Sequence, residues 1–128
     1  MNLKTTGFYK EMPHAIEAKE SILEFIDKGN YADIDKVCTY LKSGIELIIS
    51  PSVTKDLINP EKGTSGTASL YTDGMWVWPG DLAYYVKNYN LRLSDAFLAT
   101  MVSNEWKVNL KETDLNFDMI EINNRRIG

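Results

Sequence analysis

The sequence predicts a single α+β domain, and three features predict it. Apolar residues recur at helical spacing through the first third of the chain, an Asp-Gly pair lies between two β-favouring runs near its middle, and two further helical patterns follow. The 128 residues contain no internal repeat and no linker-like stretch, and a chain of this size buries roughly two thirds of its unfolded surface in one core. The expected architecture is an N-terminal helical hairpin, a small antiparallel sheet centred on the Asp-Gly hairpin, and two further helices.

Within residues 15–28, Ala15, Ala18, Ile22, Leu23, Phe25 and Ile26 fall at helical spacing and Gly29 is placed to stop the helix. Tyr31, Ile34, Val37, Cys38 and Leu41 give a second apolar stripe, with Asp33 as its N-cap and Gly44 as its stop. Joined through Gly29 and Asn30, the two helices should pack as a hairpin. Residues 45–49 form a short apolar run bounded by Gly44 and by Ser50 and Pro51, which suits a buried strand. Residues 50–67 hold Pro51, Pro60, Gly63, Gly66 and several hydroxyls, so they read as a long mobile loop with one helical turn at 54–58.

The densest signal is residues 72–86, TDGMWVWPGDLAYYV, which hold two of the three tryptophans. Asp73 and Gly74 suit a type I′ turn, which needs positive φ at both central positions, so 68–71 should pair with 75–78. Trp76 and Trp78 then share one face of the strand, while Met75 and Val77 take the other. Leu82, Tyr85, Val86 and Tyr89 form a helical stripe behind Asp81, which can cap it or complement its dipole. Ser94 caps a last helix reaching about Ser103, with Phe97, Leu98, Met101 and Val102 inward. From Trp106 the tail alternates weakly and could add an edge strand.

Composition narrows the function. Eighteen acids against fourteen Lys and Arg leave a net charge of −4, which opposes attraction to a phosphate backbone. Residues 81–89 and 94–103 could mimic a helix-turn-helix, but the second helix carries no base, so nucleic acid is not expected as a partner. No run approaches a membrane helix and the start of the chain lacks a leader's apolar stretch, so no membrane partner is expected and the cytoplasm is the expected compartment. The acids cluster at 17–35 and at 112–122; each cluster reads either as a solvated face or as the surface that meets a basic partner.

Catalytic constellations are thin. His14 is the only histidine, and after Pro13 it reads as a helix-entry residue rather than a general base. Cys38, on an apolar stripe, reads as a core thiol. One Cys and one His cannot supply a zinc site, and the acids show no calcium-loop spacing, so neither metal nor other cofactor is expected. Lys62, Gly63, Thr64, Ser65 and Gly66 have the wrong order and context for a phosphate loop. The Trp pair reads either as core cover or as an aromatic anchor at an interface.

The run DGMWVWPGDLAYYVKNYNLRLSDAFLATM, residues 73–101, resembles small bacterial immunity proteins of polymorphic toxin and contact-dependent growth inhibition systems. The shared pattern is an acidic residue with Gly, an aromatic strand ending in Trp-Pro, Asp-Leu-Ala-Tyr-Tyr-Val, and a second helix after an Arg-Leu step. The resemblance implies a non-enzymatic protein that binds the C-terminal toxin domain of a cognate effector, often a cationic nuclease. The residues expected to meet that basic domain are Asp33, Asp35, Trp76, Trp78, Glu112, Asp114, Asp118 and Glu121. A small-molecule-binding or regulatory module with an aromatic pocket is the alternative.

Overall fold

A computed structural model describes residues 1–12, 18–116 and 119–126, with the side chains of Glu112, Arg125 and Arg126 outside the described set. It is an α+β fold, but it begins with a strand and not with a helical hairpin. Strand β1 (Asn2–Thr5) is followed by helix α1 (Ile34–Lys42), β2 (Ile45–Ile48), β3 (Val53–Lys55), β4 (Thr64–Thr67), β5 (Leu70–Thr72) and β6 (Trp76–Pro79). Then come α2 (Leu82–Tyr89), α3 (Asp95–Ser103), β7 (Glu121–Ile122) and β8 (Arg125–Arg126). Six strands form one mixed sheet in the order β2-β5-β6-β1-β7-β8, and β3 with β4 forms a separate ribbon. The small antiparallel sheet expected from the sequence is therefore corrected: β1 runs parallel to both β6 and β7.

The helix expected over 15–28 is overturned from Ala18 onward, and residues 15–17 lie outside the described residues. One short 3-10 turn, Ile22–Glu24, stands in its place. Around it, backbone groups of the segment find distant partners instead of helical ones four residues away. The N–H of Asp27 donates to the Tyr89 carbonyl (2.8 Å), that of Gly29 to Asn90 (2.9 Å), and Arg92 N–H donates to the Phe25 carbonyl (2.9 Å). Asp27 itself has φ 61, which ends any right-handed helix there. The apolar residues still turn inward, with Ile22 at 1% exposure; they do so from a loop.

The second stripe is a helix, and the Asp33 carboxylate caps it by accepting from the N–H groups of Asp35 and Lys36. The expected loop over 50–67 is the β3–β4 ribbon: Val53, Thr54, Thr64 and Thr67 favour strand. Asn59 and Pro60 start the 3-10 turn Pro60–Lys62 between them. The β5–β6 hairpin forms, but it pairs 70–72 with 76–79 and not 68–71 with 75–78, with Tyr71 opposite Trp78 and Thr72 opposite Val77. Its turn is not type I′, because Gly74 has φ 96 while Asp73 does not have positive φ. Paired positive φ occurs instead at Asn123 and Asn124 (50° and 69°), in the two-residue connection between β7 and β8. The tail thus enters the sheet as two strands, β7 flanked by β1 and β8, with β8 at the edge.

Alternation along β6 divides the interior. Trp76 and Trp78 face the helices, where Trp78 joins Val37, Tyr40, Leu41, Tyr85, Val86, Phe97 and Met101 in the larger core. Val77 faces the other way, into a smaller core with Leu3, Phe8, Leu47, Leu70, Leu115, Ile120 and Ile122. Gly44 lets this happen: a Cβ there would meet the Trp78 ring at 2.5 Å. On α3, Phe97 and Met101 are fully buried, whereas Val102, expected inward, is 59% exposed. Among the described residues no helix is long and apolar enough to cross a membrane.

Candidate functional site

The carboxylates fall into two populations. In the first, every oxygen is engaged by the fold. Asp73 Oδ1 accepts from the N–H groups of Met75 (2.9 Å) and Trp76 (2.8 Å), shaping the hairpin turn, while Oδ2 accepts the Tyr40 hydroxyl at 2.6 Å. Asp56 repeats the scheme under nearly complete burial, at 1% exposure. Its Oδ1 accepts from Ile58 and Asn59 N–H (both 2.8 Å), and its Oδ2 accepts the hydroxyls of Tyr84 (2.7 Å) and Tyr89 (2.6 Å). Burial pushes the Asp56 carboxyl up, but the Asn59, Tyr89, Tyr84 and Ile58 donors outweigh it and hold it below the usual carboxylate range. The β3–β4 ribbon is thereby tied to α2.

Asp81 is also turned inward, with one carboxylate oxygen bonded to the fold. It makes no side-chain cap for α2; its buried carboxylate accepts the Ser65 hydroxyl of β4 at 3.2 Å, and Ser65 in turn lies 2.8 Å from the Thr54 hydroxyl of β3. Glu11 performs a similar task at the chain's start, accepting the Ser21 hydroxyl and the Ile22 N–H (2.9 Å).

The second population is exposed. Between residues 19 and 35, Glu20, Glu24, Asp27, Asp33 and Asp35 all face solvent, accompanied by Lys19 and Lys28. The segment is held in place from behind. Besides the backbone bonds to Asn90 and Tyr89, the Tyr31 hydroxyl donates to the Leu91 carbonyl and accepts the Leu93 N–H (2.9 Å). Its acids are consequently presented on a fixed loop and on the first turn of α1.

The expected partner residues are not brought together. Asp33 and Asp35 lie in this acidic segment, Asp33 also serving as the cap. Trp78 is 1% exposed and its indole N–H donates to the Leu41 carbonyl (3.0 Å), so it supplies core and no contact surface. Trp76 is half-buried, its indole N–H donating to the Thr100 hydroxyl at 2.9 Å. At the far end of the chain, exposed Asp114 accepts the Lys111 N–H (2.9 Å), and half-buried Glu121 sits in β7. Asp118 and the side chain of Glu112 lie outside the described residues, as does His14. Between and beside these C-terminal acids, Leu115, Ile120 and Ile122 are buried in the smaller core.

Two hollows accompany these surfaces. One, of about 490 Å³, lies between the ribbon and Asp81 and is lined by Ser50, Ser52, Thr54 and Leu57. The other, about 570 Å³, opens beside Trp76 between the loop after β1 and the start of α3. Cys38 is buried with its thiol 3.8 Å from the Ala83 carbonyl, and burial raises its pKa, so it is placed as a core residue. Among the described residues no group of three or more His, Cys, Asp or Glu is placed to hold a metal ion. Compared with known families, with curated proteins and with solved structures, the chain gives no match.

Sequence reasoning missed Asp56, Tyr9 and Arg92. For Asp56 a signal existed, since Asp followed by Leu-Ile-Asn-Pro suits an Asx turn. For Tyr9 and Arg92 none did: they line one cleft only through the tertiary fold.

Proposed function

We propose that this chain is a non-catalytic immunity protein, acting in the cytoplasm, which binds the basic C-terminal toxin domain of a cognate effector and blocks its active site or substrate access. The observation that carries this reading is the rigid acidic segment at residues 19–35, where five exposed acids stand against two lysines. Such a surface attracts a cationic domain over a Debye length and suppresses wrong partners. The resemblance of residues 73–101 points the same way, and because Trp78, Leu82, Tyr85 and Val86 of that run are core, it is the scaffold that the run specifies. Contact with the toxin then falls to the exposed acids, with Asp33 and Asp35 foremost.

The test is co-expression with the product of the gene directly upstream. A complex that survives purification, together with loss of the toxin domain's activity, is the expected result. Separate elution with toxin activity unchanged contradicts the reading.

A further inference from the structure

The cleft beside Trp76 combines aromatic and cationic side chains. Its volume of about 570 Å³ is that of a small-molecule site. Trp76 and Phe25 are among the aromatic residues lining it, and both are positioned by the fold. Trp76 is pinned through Thr100 and lies 5.7 Å from Phe97, while Phe25 packs at 5.6 Å from Tyr9. The charged lining is Lys19 and Arg92 against Glu20, a cationic balance in a chain of net charge −4.

Two polar side chains of its lining are Tyr9 and Arg92. Tyr9 is 7% exposed and lines the cleft, yet its hydroxyl makes no hydrogen bond among the described residues. A hydroxyl on the wall of the cleft is within reach of a ligand bound there. Burial, with Tyr31 and Glu20 nearby, pushes the Tyr9 hydroxyl up, so it enters any such contact as a protonated donor. Arg92 spends one nitrogen on Asp95 in an exposed contact at 3.4 Å, which leaves most of its guanidinium fork available.

We infer that this cleft binds a small planar aromatic ligand carrying an anionic group, either a carboxylate or a phosphate. The ring lies against Trp76 and Phe25, the anion meets Arg92 and Lys19, and the Tyr9 hydroxyl donates to the same anion. Arg is suited to that task because its fork matches either anion in a bidentate way. This site borders the acidic segment proposed for the toxin domain and shares Lys19, Glu20 and Phe25 with it, while Trp76, Tyr9 and Arg92 lie outside that segment.

The experiment is a calorimetric titration of the whole chain with naphthoate, naphthyl phosphate, uncharged naphthalenemethanol and inorganic phosphate. At least one naphthyl anion should bind saturably, and the tighter of the two names the anion class. The alcohol should bind about tenfold more weakly or worse, and inorganic phosphate alone should not bind. Arg92→Gln, at an exposed side chain, should bring the anion down to the level of the alcohol, and the isosteric Tyr9→Phe should weaken it about threefold or more. In nitrogen-edited NMR the Trp76 indole N–H should shift on binding while that of Trp78 stays in place. Absence of saturable binding by both anions at millimolar concentration overturns the inference. So does equal affinity for the alcohol, or binding that neither Arg92→Gln nor Tyr9→Phe alters.

Discussion

Asp56 and Asp33 both accept two backbone N–H groups, and each thereby shapes the start of a local structure, yet they stand in opposite situations. Asp56 is 1% exposed and its second oxygen takes two tyrosine hydroxyls from α2. Asp33 is exposed, and its bonds to Asp35 and Lys36 leave the second oxygen to solvent. The region around Asp56 turns charge inward to fasten a ribbon to a helix; the region around Asp33 turns it outward. A count of acids along the chain therefore says little about its surface until the hydrogen bonds have divided them.

The division can be broken most easily at Asp56. Asp56→Ala strands two N–H groups and two hydroxyls in a dry site, and should cost about 3 kcal/mol, read as a lowered urea midpoint with little change in slope. A midpoint within error of wild type would show that the ribbon is not fastened there. Asp73→Ala, at a half-buried turn with a single tyrosine, should cost less, about 1.5 kcal/mol. Gly74→Val in the same turn should also exceed about 1 kcal/mol, from positive φ alone, since the nearest atom to an added Cβ is the Leu110 side chain at 3.5 Å.

Acid titration sharpens the contrast. The folded-state pKa of Asp56 is lowered, so its contribution is fully present above about pH 4, the unfolded carboxylate value, and is lost as pH falls through the lower folded value. Asp56→Asn should flatten that acid limb of the stability curve. At the alkaline end the Tyr84 hydroxyl, raised chiefly by its bond to Asp56, is pushed up to about 12. Its contribution is present below about pH 10, the unfolded tyrosine value, and is lost as pH rises through the folded one. The smallest effect belongs to the outward acids. Glu24→Gln, Asp27→Asn, Asp33→Asn and Asp35→Asn together keep the cap and the left-handed backbone at Asp27, and should move stability by no more than about 0.5 kcal/mol.

What was legible in the sequence was local. The Asp33 and Ser94 caps, the β5–β6 pairing and the two faces of Trp76 and Val77 follow from residues within a few positions of one another. Three expectations failed, two of them where a distant partner decided. Residues 18–28 have helical spacing, but Asn90, Tyr89 and Arg92 compete for their backbone. The β3–β4 ribbon reads as a polar loop until Asp56 finds Tyr84 and Tyr89. Asp73 and Gly74 have type I′ chemistry, but the Asp73 carboxylate folds back on Met75 and Trp76 and makes an Asx-type turn. A strand of two residues, such as β7, is too short to show a period at all.

The candidate site was legible only in part. The acidic segment could be read from the charges, with Asp33 and Asp35 in it, but nothing in the order of residues separated exposed acids from those consumed by turns. Trp78 offered the same ambiguity, and only its burial against Gly44 and Leu41 settles its place in the core.

The claim that the outward acids serve a partner is tested most directly by the association rate. Wild type and the fourfold neutralised variant would be mixed with the cognate toxin domain at low and at high salt. A slowing of about tenfold at low salt, converging with wild type at high salt while the denaturation midpoint is unchanged, is the result expected of electrostatic steering by this segment. Identical rates and identical salt slopes would contradict it.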